Sequence, residues 1–496
     1  MNINTLHPKE IIPIIKEYMT YGQWKKLKPL IHQLESTFEQ EENTHLQFQS
    51  HHVLAKYYEA IHQYDQSASH YRKALTMEGK IDTNELSTEW IDAYLRYATL
   101  ETNYKQFQKA RTFLGKLLDW LDRNRQDDKL AYGLAYRNIG NVFFADDDYK
   151  GAIIQWERAK TYFEAVYPIT HPLITETIQK ISTAYINQEN YDQARELYEH
   201  LLYQYEKRND RINMARTLIK IGEIYYYTDL KKARSSIKQA LTEFEQIEKG
   251  GQADRIKALF MLGEIDEHTA NYPRSLNYYK KVLKQTNESD GNWEAFAVYA
   301  YAKIGMLHIQ LNELDEAKKY LEQGLPLSKI FSKIRMQFLY GLGKIYSFEK
   351  RFDDAQSMYF QFLQLLESHN QKKSKSYADT LQAIAFNELQ QERLAEALRY
   401  YKEAYNVYET LVSTTCREEK GLTCMRIAYC YEKLDDQPFQ RAEPFYEKGI
   451  QLLKKGCSAA VTEEAFFAII DFYHRTNQPK KKKKYEDEFV KRKKTE

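Results

Sequence analysis

Cysteine, histidine and carboxylate side chains are the first places to look for chemistry, and their spacing here argues against it. Cys416, Cys424, Cys430 and Cys457 all fall in the last fifth of the chain, and none forms a CxxC pair. No histidine stands at zinc-ligand spacing beside them, so free, mostly buried thiols in a reducing compartment are expected. Cys430, between Tyr429 and Tyr431 on an apolar face, reads as a packing residue. The 13 histidines are scattered, and His51 and His52 are the one adjacent pair. There is no glycine-rich phosphate loop, no HExxH, no GxSxG and no EF-hand loop. Neither catalysis, nor a metal, nor a cofactor is expected.

The bulk numbers point to binding by a large, repetitive fold. At 496 residues the chain exceeds the size at which one globular core stops growing. Yet 10 prolines and 18 glycines leave no linker-like seam, which favours growth by repetition. The composition is 43% hydrophobic and 29% charged, so the chain folds rather than staying disordered. The 41 tyrosines suit a thin two-layer array, with rings packed inside and hydroxyls reaching water. A net charge of +2 gives no general footprint for nucleic acid or a membrane surface.

Residues 479–496 are a local exception. Lys480 to Lys484, Lys491, Arg492, Lys493 and Lys494 outnumber Glu486, Asp487, Glu488 and Glu496. Those acids pair with the lysines at helical spacing, so this run is expected to keep a capping helix solvated. The first residues lack the basic start and long apolar core of a signal peptide, and no stretch approaches a membrane span. A soluble cytoplasmic protein is expected.

One pattern recurs along nearly the whole chain: a small residue, an aromatic three later, a polar turn, then a small residue and an aromatic four beyond it. Gly140, Phe143, Tyr149, Ala152 and Trp156 show it, and so do Gly343, Tyr346, Phe352, Ala355 and Tyr359. Aligned on the second small residue, the rungs are Ser67, Ala110, Ala152, Ala194, Ala233, Ser275, Ala317, Ala355, Ala397 and Ala442. Successive steps are 43, 42, 42, 39, 42, 42, 38, 42 and 45 residues, with weaker rungs near Leu27 and Lys482.

Apolar residues three, four and seven apart mark amphipathic helices, and turns such as ADDDY and NQEN separate them in pairs. Each unit is therefore a helical hairpin, with the small residues where the two backbones cross. Pro273, Pro444 and Pro479 are expected in the turn or first turn of a second helix, and Pro168 and Pro172 between hairpins. The predicted organisation is capping helices or a degenerate repeat over 1–45, ten tandem repeats over 46–455, and capping helices with a basic tail over 456–496.

These residues resemble the tetratricopeptide repeat, in a long form with a period near 42 rather than 34. Eight more residues mean roughly one extra turn per helix, about 6 Å each. That long form is similar to kinesin-light-chain repeats, most closely over 170–202 and 441–450, and to the repeats of Rap-type bacterial regulators. The resemblance implies an all-α, right-handed superhelical solenoid of about 10–12 helical hairpins whose first helices line a concave channel. No helix-turn-helix pattern precedes the repeats, so DNA binding is not implied.

In such arrays the exposed channel positions lie three and six before the small residue of the first helix, and one and four after it. Carried over, they give Arg137, Asn141, Glu176, Gln179, Thr183, Arg216, Glu223, Tyr226, Lys257, Glu264, Glu267, Tyr299, Gln337, Tyr340, Lys344 and Gln382. Asn and Gln suit the unpaired backbone of an extended peptide, Arg and Lys suit a carboxylate, and Tyr gives broad contact. Arg137 and Asn141, one helical turn apart, are the leading pair. The expected function is a non-enzymatic scaffold or regulator that holds a protein segment or short peptide, with homo-oligomerisation left open. The Rap resemblance implies an alternative, a signalling-peptide-controlled regulator with phosphatase or response-regulator-sequestering activity.

Overall fold

The computed structural model describes residues 6–38, 41–82, 85–247, 250–288, 293–411, 416–434, 438–455 and 457–493. Lys494 and Glu496 of the basic run lie outside the described residues. Among those described, the secondary structure is helical throughout and the helices come in consecutive antiparallel pairs. Two compact units divide the chain, one ending at Asp254 and the other starting at Arg255.

The first unit holds α1 (Pro8–Thr20), α2 (Leu27–Thr37), α3 (Thr44–Ala60), α4 (Tyr64–Leu75), α5 (Ser87–Asn103) and α6 (Phe107–Asn124). It continues with α7 (Lys129–Ala145), α8 (Tyr149–Glu164), α9 (Pro172–Asn187), α10 (Tyr191–Lys207), α11 (Arg211–Tyr225) and α12 (Leu230–Glu245). The boundary falls in the first turn of α13 (Gln252–His268), which pairs with α14 (Tyr272–Glu288). Next come α15 (Glu294–Gln310), α16 (Leu314–Gly324), α17 (Ser332–Phe348), α18 (Phe352–Ser368), α19 (Lys375–Gln390) and α20 (Leu394–Thr410). The last four are α21 (Arg417–Leu434), α22 (Pro438–Leu453), α23 (Ala459–Arg475) and α24 (Pro479–Lys493).

The ladder of small residues explains this geometry. Ser67, Ala110, Ala152, Ala194, Ala233, Ser275, Ala317, Ala355, Ala397 and Ala442 are all 0% exposed. Each sits one turn into a second helix, where only a short side chain lets two backbones close up. The facing position on the first helix is small as well: Ala55, Ala98, Gly140, Ser182, Gly222, Gly263, Gly305, Gly343, Ala385 and Ala428. Both serine rungs use the contact, since Ser67 Oγ donates to the Ala55 carbonyl at 2.9 Å and Ser275 Oγ to the Gly263 carbonyl at 2.8 Å. A large side chain four residues past the rung fills the remaining gap. A Cβ on Gly140 would meet the Trp156 ring at 2.4 Å, and one on Gly343 would meet Tyr359 at 2.5 Å.

The turns repeat as strictly as the crossings. In nine of them a non-glycine residue, from His62 and Lys105 to Glu392 and Asn477, takes φ between 53° and 62° two residues before the second helix. The following amide then bonds back to the first helix, as from Gln106 to the Glu101 carbonyl (2.8 Å) and from Asp148 to that of Phe143 (2.9 Å). This is the 6→1 bond of a Schellman closure, which satisfies carbonyls that the helix end leaves unpaired.

Three details differ from the sequence reading. Pro444 lies inside α22, several residues past its start, on an exposed side where water can take up the carbonyl it leaves unpaired. Pro172 is the first residue of α9 rather than part of a connection. Several tyrosine hydroxyls donate to carboxylates: Tyr279 to Glu267 and Tyr377 to Glu367 at 2.9 Å, Tyr473 to Glu443 at 2.8 Å.

The aromatic expected three residues after the first small residue is also replaced in four hairpins, by Glu101, Asp266, His308 and Glu388, each at most 4% exposed. Lys109 (2.6 Å), Arg274 (3.6 Å), Glu313 (2.5 Å) and Arg393 (3.5 Å), from the turn or start of the second helix, pair with them in that order. A buried charge at this place persists because its partner can reach it from the hairpin mouth.

Candidate functional site

Grooves open on the faces of the first helices, because those helices are spaced by the hairpins behind them. In the first unit a groove of about 550 Å³ lies between α7 and α9, lined by Asn141, Phe144, Trp156, Glu176, Gln179, Lys180 and Thr183. Gly140 positions its floor: lacking a side chain, it admits the Trp156 ring, whose Nε1 donates to the Arg137 carbonyl at 3.0 Å.

Above that floor the charges are unbalanced. Arg137 reaches across to Glu176 at 3.5 Å and lies over the Phe163 ring. Lys180 is half-buried over Trp156 and forms no ion pair. Burial lowers the pKa of both cations; Arg137 lowers that of Lys180 further, and Glu176 partly offsets the effect on each. Asn141 turns a fully buried Oδ1 inward without a hydrogen-bond partner, while Gln179 and Thr183 are exposed.

The same unit carries a second groove, of about 600 Å³, among α1, α3 and α5. Its charges satisfy one another. His52 Nε2 lies 2.9 Å from Asp92, which also takes Arg96 (2.8 Å) and Lys56 (3.4 Å), and Lys16 pairs with Glu89 (3.1 Å). Against the burial that would raise it, His52 and Arg96 hold the Asp92 carboxyl well below the usual range. The position rule used on the sequence, applied to Ala55 and Ala98, would have named His52, Lys56 and Asp92.

The remaining sequence-derived positions are mostly engaged within their own unit. Arg216 pairs with Asp254 at 2.8 Å, Glu223 with Lys220 at 3.0 Å, and the Tyr226 ring stands edge-on to Tyr227. In the second unit Lys257 is half-buried on α13. Glu264, on the same helix, has its pKa raised by burial, with Lys303 opposing. Glu267 takes Lys303 at 3.0 Å as well as Tyr279. Tyr299 is exposed with its ring near Phe260, and Gln337 is exposed on α17. Tyr340 packs on Phe362 with Lys344 over its ring, and Gln382 accepts from Tyr408 at 3.0 Å.

So the structure brings Arg137, Asn141, Glu176, Gln179 and Thr183 together, and adds Lys180 and Trp156, which sequence reasoning missed. Lys180 lies one residue off the expected face, and Trp156 comes from a second helix. The glycine at 140 was the available signal for the tryptophan.

The other chemical candidates are quiet. All four cysteines are free, and burial pushes Cys424 up to about 12 and Cys430 up to about 11. Among the described residues no group of three His, Cys, Asp or Glu is placed to hold a metal ion, and no helix is long and apolar enough to cross a membrane. In α24, Lys481 pairs with Glu443, Lys482 with Glu486 (3.6 Å), Lys483 with Asp487 (3.0 Å) and Lys493 with Glu463 (3.3 Å). Much of the lysine run is thus neutralised inside its own surroundings.

Two segments of the chain match known family profiles. Residues 174–246 and 298–329 match family profiles described as tetratricopeptide repeat. A curated relative, the RxLR effector protein SFI4 of Phytophthora infestans (strain T30-4), is 24% identical over 206 residues. The match covers 40% of this chain and 59% of that protein. Among solved structures, the apo form of the quorum sensor NprR from B. thuringiensis is 16% identical with TM-score 0.42, over 70% of this chain and 94% of that one. The apo form of RapI is 16% identical with TM-score 0.39, over 56% and 97%. Residues 174–246 and 298–329 thus carry tetratricopeptide repeats, and the rungs and paired helices repeat the same hairpin along the described residues.

Proposed function

We propose that this protein is a non-catalytic cytoplasmic scaffold that holds an extended polypeptide segment, from a protein or a short peptide, with the α7–α9 groove as an anchor. The observation that carries the reading is the shortage of partners in that groove. Two half-buried cations, Arg137 and Lys180, have one exposed carboxylate between them. Removing cations from water costs free energy unless an anion compensates. An aspartate or glutamate of a bound segment supplies it, and the exposed Gln179 and Thr183 side chains, beside Asn141 on the groove wall, serve the segment's backbone amides and carbonyls.

Selection of a random peptide-display library on the full chain tests this. The expected outcome is enrichment of acidic peptides that bind Arg137→Ala/Asn141→Ala at least about tenfold more weakly, a change of about 1.4 kcal/mol. Selected peptides that bind wild type and variant equally would place the site elsewhere.

A further inference from the structure

The second unit carries a groove of a different kind. Between α21 and α23, with the end of α19 beside them, lies a cavity of about 720 Å³. Leu422, Met425, Val461 and Ala468 line it, beside a Tyr429 ring that is 40% exposed. On α21 the lining residues are Leu422, Met425, Arg426, Tyr429 and Lys433. Their spacing of three, four, seven and eleven runs about 16 Å along three helical turns. Val461, Glu464, Ala465 and Ala468 repeat that spacing on α23.

Two features choose the occupant. Leu422, Met425, Val461 and Ala468 form an apolar stripe flanked by the polar side chains of Gln390, Glu392, Arg426, Lys433 and Glu464, so the segment that matches it presents an apolar stripe between polar edges, as an amphipathic helix does. The edges are charged and, among the described residues, form no ion pairs: Arg426 and Lys433 on α21 lie over the Phe386 and Tyr429 rings, and Glu392 and Glu464 on the other edges likewise lack an ion-pair partner. Elsewhere in these hairpins charges pair closely, as Glu409 does with Lys420 at 2.6 Å and Arg475 with Glu432 at 2.7 Å.

We infer that the α21–α23 groove docks an amphipathic helix of about three turns from a partner protein, its apolar stripe on Leu422, Met425, Val461 and Ala468 and an acidic edge against Arg426 and Lys433. This site is separate from the α7–α9 anchor and stands or falls without it.

The test uses the full chain and fluorescein-labelled synthetic peptides of about 16 residues with a leucine stripe. One carries glutamates along one edge, a second carries lysines there, and a third is the glutamate peptide with a central proline. Fluorescence anisotropy should show saturable binding of the glutamate peptide, with the lysine and proline forms at least about tenfold weaker. Leu422→Glu should abolish binding, and Arg426→Glu/Lys433→Glu should reverse the charge preference, thermal melts confirming that both fold. Arg426 and Lys433 are exposed, so the second variant tests the idea even where the first is unstable. Equal binding of the glutamate and lysine forms, retained binding of the proline form, indifference to the α21 variants, or no saturation below about 1 mM would each overturn the assignment.

Discussion

The α7–α9 and α21–α23 grooves sit on equivalent first-helix faces of the same repeated hairpin, yet ask for different guests. Between α7 and α9 Asn141, Gln179, Thr183, Glu176 and Lys180 stand over Phe144 and Trp156, with Arg137 beside them, a surface that can pair with an open backbone and a carboxylate. Between α21 and α23 an apolar stripe of Leu422, Met425, Val461 and Ala468 runs between charged side chains, a surface that suits an apolar face with polar edges. The scaffold fixes where a groove opens. The side chains on it decide whether the occupant comes extended or already folded.

The comparison breaks most sharply at Gly140. Gly140→Val drives a side chain into the Trp156 ring and should cost about 3 kcal/mol in a denaturant melt of the first unit. Peptide binding at α7–α9 should vanish with it while helix binding at α21–α23 persists; loss of both would show that the two grooves are not independent. Lys180→Glu should weaken acidic peptides by at least about tenfold and leave the leucine-stripe peptide unaffected, with Leu422→Glu giving the mirror image. That double dissociation is read by anisotropy on the two peptide sets.

Acid should separate the units next. His51 and His70 face each other with Nδ1 atoms 2.9 Å apart. Burial, then the partner imidazole and Lys73, pushes His51 down to about 3; burial, then Lys73, pushes His70 down to about 4. Both lie below the unfolded value near 6.5, so their contribution is intact above pH 6.5 and is lost as pH falls toward 4 and 3. Melting of the first unit followed across that window should lose its pH dependence in His51→Phe/His70→Asn. An unchanged profile would assign the acid sensitivity to other groups.

The smallest effect is expected in the second unit. Ala270 holds φ at 54°, a left-handed conformation that costs an L-residue about 1 kcal/mol. Ala270→Gly should therefore stabilise by a few tenths of a kcal/mol once glycine's greater unfolded freedom is subtracted, as a shifted midpoint with unchanged slope would show.

Much of the fold was legible because the hairpin crossing tolerates few side chains. A residue at a rung must be small whatever surrounds it, so Ala110 and Ala397 announce themselves without help from distant sequence. The buried charges Glu101 and Glu388 were not legible. A carboxylate at an apolar register becomes tolerable only when Lys109 or Arg393 folds back over it, and that is a property of the turn. The site was readable to the same degree. Helical periodicity brings Asn141, Gln179 and Thr183 to one groove, but Lys180 enters by placing its ammonium over the Trp156 ring from one position away. The α21–α23 groove was missed because Ala442 stands 14 residues past its facing Ala428 instead of the usual 12; counted from Ala428, the same rule names Leu422, Met425 and Tyr429.

The tyrosine–carboxylate bonds carry a last consequence. Burial comes first and the adjacent carboxylate second in raising the phenols of Tyr94, Tyr377 and Tyr408 above their ordinary range. Deprotonating such a ring would place two anions against each other in a dry seam, so alkali should open the hairpins before it ionises them. Once the exposed phenols such as Tyr21 and Tyr227 have ionised, the remaining rise in tyrosinate absorbance should come in step with the loss of helical circular dichroism. A titration meant to count phenols becomes a record of the array coming apart.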